Sequence, residues 1–191
     1  MRSSLLLLSL LVPLAWATTG FDAIQNLPVS TFQCMRNNGY SFFIGRVWES
    51  VGNYDLQGMQ NMRNAHAAGV PYIDGYIFPC LRSSCAHAAN QVEATINKIR
   101  ETGTPMGTLW LDVEVLAWPA NQAANRQFIT DMANQAKAMG VLVGIYTNPN
   151  NWNQINFNGF SPFGGWNKPS IRQYAGDTTG PCGVSLDRNW Y

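Results

Sequence analysis

The sequence predicts an α/β fold, most closely a modified β/α barrel of the TIM type whose late strands are irregular. Three observations predict it. A helical stretch, a glycine and an apolar strand follow one another repeatedly as far as residue 147. The strands are apolar at nearly every position, which is typical of parallel strands covered by helices. No glycine-rich nucleotide fingerprint follows any strand, which favours a barrel over an open dinucleotide-binding sheet.

Each unit of the repeat ends its helix with a glycine, namely Gly39, Gly69, Gly103 and Gly140. Glycine readily adopts the left-handed conformation that ends a helix. A first strand is predicted around Phe21, and the strands of the repeat are predicted at residues 40–47, 70–78, 109–115 and 141–147. Two late strands, with no helix between them, are predicted at residues 171–175 and 183–190.

The first 17 residues have the features of a cleaved signal peptide. Arg2 supplies a positive charge, and Ala15-Trp16-Ala17 offers small residues to a signal peptidase. The apolar run at 5–14 is shorter than the roughly 20 residues that a membrane helix needs. Residues 18–191 then have a length that suits a single domain. We therefore expect a protein that is secreted, or that reaches the lysosome by the secretory pathway.

Charge and composition narrow the classes of partner. Of the 12 Lys and Arg residues, 11 remain without Arg2, and they balance 11 Asp and Glu residues. No overall field therefore attracts nucleic acid or anionic lipid, and we expect a monomer with neither kind of partner. Only 12% of the residues are charged and 12% are aromatic, which suits neutral sugar polymers that bind by stacking and hydrogen bonds.

The four cysteines are an even set in a chain bound for an oxidising compartment, where disulfides form. Three pairings are possible. Cys80 and Cys85 are close enough in sequence to close a short loop, and that pairing leaves Cys34 to bond with Cys182. A metal site is rejected, because the spacings match no zinc signature and the chain has only two histidines.

The segment 109–115 carries the strongest chemical signal. Side chains alternate along a strand, so Asp112 and Glu114 share one face, with Cα atoms roughly 6.5 to 7 Å apart. Two carboxylates on a buried strand repel each other and lose hydration, so a fold keeps them mainly when it uses them. Glycoside hydrolases use two carboxyl groups about 5 to 9.5 Å apart. The alternative is a pair of rim carboxylates that bind loop backbone.

Two further aspartates occur near predicted strands. Asp22 follows the start of the first strand, and Asp187 lies in the last one. The first and last strands of a closed barrel are neighbours, so both residues are placed to meet Asp112 and Glu114 across one cleft at the strand ends. Taken singly, each is also suited to capping a helix or to a turn.

Five motifs stand in order along nearly all of the mature chain: Phe21-Asp22-Ala23-Ile24-Gln25, Leu111-Asp112-Val113-Glu114, Gly144-Ile145-Tyr146, Arg172-Gln173-Tyr174 and Leu186-Asp187-Arg188-Asn189. In order and spacing they resemble the lysozymes of glycoside hydrolase family 25, the Chalaropsis type. Three more segments are similar to the invertebrate branch of that family, namely Tyr76-Ile77-Phe78-Pro79-Cys80, Phe163-Gly164-Gly165-Trp166 and Gln173-Tyr174-Ala175-Gly176-Asp177.

The resemblance implies an enzyme that hydrolyses the β-1,4 bond between N-acetylmuramic acid and N-acetylglucosamine in bacterial peptidoglycan, without a cofactor. It implies that Glu114 is the general acid. Asp112 would orient or stabilise the acetamido group or the cationic centre, while Asp22 and Asp187 complete the carboxylate ring. The resemblance also implies that three residues contact the sugar, namely Tyr76, Tyr146 and Gln173.

The chain departs from the family at 153–161, which runs almost directly into Phe163 where the family has a further strand. The barrel could therefore lack one strand's worth of sequence. Two main alternatives follow: a muramidase of antibacterial defence or digestion, and a peptidoglycan-binding protein with weakened catalysis. A chitinase-type hydrolase ranks below both, because Thr108, Leu109 and Trp110 precede Asp112 where that class carries aspartates.

Overall fold

The computed structural model describes residues 19–114, 118–147 and 171–190. Strands and helices alternate along the chain as far as β6, and two strands follow at the end. The strands are β1 (Thr19–Asp22), β2 (Phe42–Glu49), β3 (Asn53–Tyr54), β4 (Tyr72–Ile77), β5 (Thr108–Asp112), β6 (Leu142–Thr147), β7 (Ile171–Thr179) and β8 (Ser185–Trp190). The helices are α1 (Val29–Asn37), α2 (Leu56–Ala67), α3 (Ala88–Glu101) and α4 (Gln122–Ala138), with a 3-10 turn at Pro181–Gly183.

The sheet closes into a barrel. Its strand order is β1-β8-β7-β6-β5-β4-β2-β3, and β1 also pairs with β2, so that seven strands form a ring to which β3 adds a short hairpin. The pairs from β1–β2 round to β6–β7 are parallel, whereas β8 runs antiparallel to both β7 and β1. The predicted α/β barrel with irregular late strands is therefore confirmed.

The ring of described strands has one strand fewer than an eight-stranded barrel. β6 pairs directly with β7 through Tyr146 and Ile171. The segment 153–161, where the sequence suggests that a strand is missing, lies outside the described residues, as does the predicted signal peptide at 1–17. The strand boundaries differ from the predicted ones by one to a few residues; β5, for example, ends at Asp112 instead of residue 115, and β7 continues to Thr179 instead of residue 175. The two-residue β3 is too short to show a periodicity and has no counterpart among the predicted strands.

Local signals explain where the helices end and begin. The four predicted glycines, Gly39, Gly69, Gly103 and Gly140, have φ values of 87°, 76°, 58° and 72°, in the left-handed region. The side chains of Asp55 and Asn121 accept hydrogen bonds from the first turns of α2 and α4. Within the described ranges, no helix is long and apolar enough to span a membrane.

Apolar side chains pack in two separate layers. The larger cluster lies between the sheet and the helices, while a smaller one fills the barrel interior with Phe42, Ile44, Tyr76, Trp110 and Tyr146. Glycines make room for the interior rings, because a Cβ on Gly20 or Gly144 would overlap the ring of Phe42 or Trp110. The interior is thus packed at its amino end, and polar groups are left for the carboxyl end.

Both predicted disulfides are present. Cys80–Cys85 closes a loop after β4. Cys34–Cys182 joins α1 to the 3-10 turn before β8, across 148 residues of sequence. The long-range bond connects the two ends of the domain, and by the chain-entropy estimate such a loop stabilises the fold by about 5 kcal/mol.

Candidate active site

A cavity of about 260 Å³ opens at the carboxyl ends of the barrel strands. We call it the cleft. Residues from β1, β2, β4, β6, β7 and β8 line it, together with the end of β5 and the loop after β1. Five carboxylates face it, namely Asp22, Asp112, Glu114, Asp177 and Asp187. This is the end of a β/α barrel at which active sites are built.

Asp112 and Glu114 both line the cleft, as their spacing predicts. Asp112 is the last residue of β5 and is buried, whereas Glu114 lies two residues beyond it and is half-buried. The Oδ1 atom of Asp112 is buried, and among the described residues it has no hydrogen-bond partner. A buried carboxylate oxygen without a donor is costly, so it is suited to a hydrogen bond from a bound ligand.

Asp22 and Asp187 meet across the junction of β1 and β8. The two residues are Cα partners in the antiparallel ladder, and both line the cleft. The closure of the barrel therefore brings the first and last aspartates to the pair on β5. All four carboxylates that the sequence singles out face one cavity.

Asp22 takes part in a buried hydrogen-bond cluster with two neutral side chains. The amide Nδ2 of Asn189 donates to Asp22 Oδ2 over 2.7 Å. The Tyr146 hydroxyl lies 2.8 Å from the same Oδ2 and 2.9 Å from Asn189 Oδ1. Asn189 belongs to β8 and Tyr146 to β6, so the cluster spans the inside of the barrel.

The carboxyl groups hold their protons unusually tightly. Burial, followed by the nearby charge of Asp187, raises the pKa of Asp22 from 3.8 to about 7. Burial and then the charge of Glu114 raise the pKa of Asp112 well above its usual range. Burial also raises the pKa of Glu114, with Asp187 and Asp177 adding to the effect. A carboxylic acid that stays protonated towards neutral pH can act as a general acid.

The positive charge in the cleft is paired with carboxylates that do not line it. Arg46 on β2 is the only cation among the described residues that line it. Its Nε donates to Asp55 over 2.7 Å, and its Nη2 lies 3.5 Å from Glu49. Asp55 in turn caps α2 through the backbone N–H of Gly58. Arg46 is thus held by carboxylates outside the acidic group, and its effect on the pKa of Asp112 is smaller than that of burial and of the neighbouring carboxylates.

Two of the three predicted sugar-contacting residues line the cleft. The rings of Tyr76 and Tyr146 stack with centroids 6.1 Å apart and an angle of 18° between their planes. Both are buried, and the hydroxyl of Tyr146 is bonded within the cluster around Asp22. The side chain of Gln173 lies outside the described part of the structure, although its backbone pairs with Asn189 in the sheet.

The loop after β1 forms a wall of the cleft and is held from behind by α2. Ala23, Ile24 and Gln25 line the cavity. Asn61, which is fully buried on α2, accepts from the backbone N–H of Leu27 over 3.0 Å and donates to the carbonyl of Gln25 over 2.8 Å. A single side-chain amide therefore fixes both backbone edges of this loop.

Sequence reasoning assigned no role to Asp177, which lines the cleft, or to Asn189, which lies behind it and bonds Asp22. Asn189 lies within the motif 186–189, but its partners are visible only after β8 has closed the barrel. Asp177 has a φ of 49°, next to an irregularity in the β7–β8 register. Its backbone N–H donates to Asp187 Oδ1 over 2.6 Å. A non-glycine residue in the left-handed region is strained, and such strain is often found at functional sites.

An α/β barrel whose strand ends gather protonated and ionised carboxyl groups in one cleft is the arrangement of a glycoside hydrolase. Across the described ranges, no group of three or more His, Cys, Asp or Glu side chains is arranged to hold a metal ion. Proton transfer and charge stabilisation are the chemistry that these side chains supply.

Comparisons with known proteins identify the family. The model of the family described as Lysozyme-like protein 1 matches residues 14–158. The chain is 46% identical to Lysozyme-like protein 5 of Caenorhabditis elegans, with 91% of each chain covered. It is 33% identical to Probable GH family 25 lysozyme 2 of Dictyostelium discoideum, covering 92% of this chain and 91% of that one. The chain therefore belongs to the lysozyme-like proteins of glycoside hydrolase family 25.

A solved structure shares the fold. The modular autolysin LytC of Streptococcus pneumoniae, determined in complex with a synthetic peptidoglycan ligand, superposes with a TM-score of 0.70 at 16% sequence identity. The match covers 92% of this chain and 47% of that one. At this identity the likeness concerns the fold, which agrees with the closed α/β barrel of the described strands.

Proposed function

We propose that the protein is an active muramidase that hydrolyses the β-1,4 bond between N-acetylmuramic acid and N-acetylglucosamine in bacterial peptidoglycan. The observation that carries the proposal is the meeting of Asp22, Asp112, Glu114 and Asp187 in one cleft. Family membership and the peptidoglycan ligand of the autolysin support the choice of substrate.

In the proposed reaction, Glu114 is the general acid. It is the more exposed carboxyl group of the β5 pair, so it can reach a glycosidic oxygen, and its raised pKa keeps the proton available. Asp112 faces the same cavity with an oxygen that lacks a donor among the described residues. It is suited to orient a polar group of the substrate or to stabilise the cationic sugar.

We further propose that the protein is secreted, or delivered to the lysosome, and acts on bacteria in defence or digestion. The signal-peptide features of residues 1–17 support this destination. The two disulfides support it as well, because such bonds form and persist in oxidising compartments.

The test is the release of reducing ends from purified peptidoglycan by residues 18–191. Wild type should release them, and Glu114→Gln should lower the rate by about 100-fold or more, since the acid is lost while the shape is kept. Glu93→Gln, at an exposed position of α3, is the matched control and should retain the wild-type rate. Undiminished hydrolysis by folded Glu114→Gln would contradict the acid assignment. Binding of peptidoglycan by wild type without hydrolysis would support the binding-protein alternative.

A further inference from the structure

We propose that Asn189 is a positioning residue of the cleft, and that with Tyr146 it closes a ring of three hydrogen bonds that holds Asp22 in its protonated, neutral form. The charge state follows from the geometry of three side chains. Only its consequence for catalysis rests on the proposed hydrolase function.

The ring consists of three short contacts between buried groups. Asp22 Oδ2 lies 2.7 Å from Asn189 Nδ2 and 2.8 Å from the Tyr146 oxygen. The Tyr146 oxygen lies 2.9 Å from Asn189 Oδ1, which closes the triangle. Asn189 is 0% exposed, Tyr146 4% and Asp22 6%, so bulk water has little access to these atoms. Each contact therefore requires a hydrogen atom of its own.

The available hydrogens can be counted. The Tyr146 hydroxyl carries one, and the Asn189 amide directs one into the ring through Nδ2. If Asp22 were ionised, two hydrogens would serve three contacts, and one pair of oxygens would face each other unbonded at hydrogen-bond distance. A proton on Asp22 Oδ2 supplies the third. Asp22 then donates to Tyr146, Tyr146 donates to Asn189, and Asn189 donates to Asp22.

The count does not depend on how the amide of Asn189 is oriented. With its nitrogen and oxygen exchanged, the nitrogen faces Tyr146 and the oxygen faces Asp22 Oδ2. Tyr146 then donates to Asp22, but the contact between Asp22 and Asn189 again lacks a hydrogen unless Asp22 is protonated. Both orientations therefore require the same proton.

The charges around Asp22 favour the neutral form. Asp187 faces it from β8, and Glu114 and Asp112 face it from the end of β5, whereas the buried Tyr76 on β4 is a neutral phenol. Arg46 on β2 is bonded to Asp55 instead. Burial and like charges together raise the pKa of Asp22 to about 7, against the hydrogen bonds that Asn189 and Tyr146 can donate to an ionised carboxylate, which lower it.

A neutral Asp22 offers the cleft a defined hydrogen-bond acceptor. Among the described residues, both hydrogen bonds of its carboxyl group end on Oδ2. With the proton on Oδ2, Oδ1 is a carbonyl oxygen, which can accept from a hydroxyl or N–H group of a neutral sugar. Asn189 fixes the plane of that carboxyl group without reaching the substrate itself.

The charge state can be measured directly by carbon NMR on protein labelled at the aspartate side-chain carboxyl carbons. The Asp22 signal is assigned by its absence from the spectrum of Asp22→Asn. In wild type it should titrate with a midpoint near neutral pH. A midpoint near the ordinary value of 3.8 would overturn the proposal. The measurement needs no substrate, so it stands apart from the test of hydrolysis.

Two variants test whether the contacts form a ring. In Asn189→Leu and Tyr146→Phe, each substitution breaks the same cycle, while each single variant keeps the other contact to Asp22. The shift of the Asp22 midpoint in the double variant should therefore differ from the sum of the two single shifts. Independent contacts would instead give additive shifts, and that result would overturn the ring. As the test of positioning, Asn189→Leu should lower kcat more than it raises KM, because Asp22 remains in the cleft but is no longer held. A change confined to KM would contradict the positioning role.

Discussion

A buried aspartate lies at each end of the barrel interior, and the two differ in the hydrogen-bond donors around them. At the amino end, Asp74 on β4 is 7% exposed and accepts from the backbone N–H of Thr108 over 2.7 Å and from the Trp110 indole over 2.9 Å. At the carboxyl end, Asp112 on β5 is 4% exposed, and its Oδ1 has no partner among the described residues. Burial is nearly the same, and the supply of hydrogen-bond donors differs.

This difference separates a structural carboxylate from a functional one. Asp74 receives an N–H donor on each oxygen, so these two hydrogen bonds help to join β4 to β5. At Asp112, burial and then the neighbouring carboxyl groups disfavour the charged form, and no donor offsets them at Oδ1 among the described residues. A hydroxyl or N–H group of the substrate can donate a hydrogen bond to this oxygen.

The largest expected effect is the dependence of stability on pH. It arises from the carboxyl end of the barrel, where the carboxyl groups of the cleft lie, and which we call the acidic end. An aspartate whose pKa is raised on folding binds its proton more tightly in the folded state. Stability is therefore greatest below the ordinary pKa of 3.8 and is lost as the pH rises through about 7. Asp22 alone should lower the free energy of unfolding by as much as about 4 kcal/mol over this window. Burial acts on Asp112 in the same direction.

Urea unfolding at a series of pH values measures this loss. Asp22→Asn should flatten the fall between pH 4 and 7, and Asp131→Asn, at a partly exposed position of α4 away from the cleft, is the control for removal of a carboxylate. If the stability of wild type instead rises between pH 4 and 7, the buried carboxyl groups do not bind their protons more tightly in the folded state.

A paired substitution tests the comparison itself. Asp74→Asn places an NH₂ group against an N–H donor, so it should lower the free energy of unfolding by about 1 to 3 kcal/mol. Asp112→Asn replaces a buried carboxyl group whose charged form is disfavoured by burial and by the neighbouring carboxylates, so it should leave stability unchanged or increase it. Activity should follow the reverse order, with turnover retained in folded Asp74→Asn and lost in Asp112→Asn. Equal losses of stability in the two variants would show that the donors are not what distinguishes the two ends.

The smallest expected effect concerns Asp177, at the rim of the acidic end. Asp177→Asn keeps the backbone N–H that bonds Asp187 and a residue type that tolerates a positive φ, but removes a charge near Glu114. The pKa of Glu114 should fall, so activity should be lost at a lower pH than in wild type. The pH profile of kcat measures this shift. Asp177→Gly should produce the same shift, because glycine also accepts the backbone conformation. An unmoved profile in both variants would exclude the electrostatic role.

Much of the fold could be predicted because its signals are local. The glycines at 39, 69, 103 and 140 end their helices at positive φ, and the apolar segments after them form parallel strands of the barrel. The spacing of Asp112 and Glu114 predicts that both reach one cleft, although β5 ends at Asp112 and Glu114 lies just beyond it. The meeting of Asp22 and Asp187 follows from closure, since first and last strands must be neighbours in a closed sheet.

The register of β8 could not be predicted, because it depends on contacts across the whole barrel. Asn189 bonds Asp22 at a sequence separation of 167 residues, and Asp177 is turned towards Asp187 by an irregularity in an antiparallel ladder. A shift of one residue would point each side chain to the opposite face, and no local pattern encodes that choice.

The sequence by itself therefore determined the α/β repeat, the ends of its helices and the four carboxylates of the cleft, because periodicity and backbone preference act over a few residues. Only the tertiary structure decided which buried acid receives donors and which does not. That distinction separates Asp74 from Asp112, because burial and hydrogen-bond supply are properties of the closed barrel and not of any one segment.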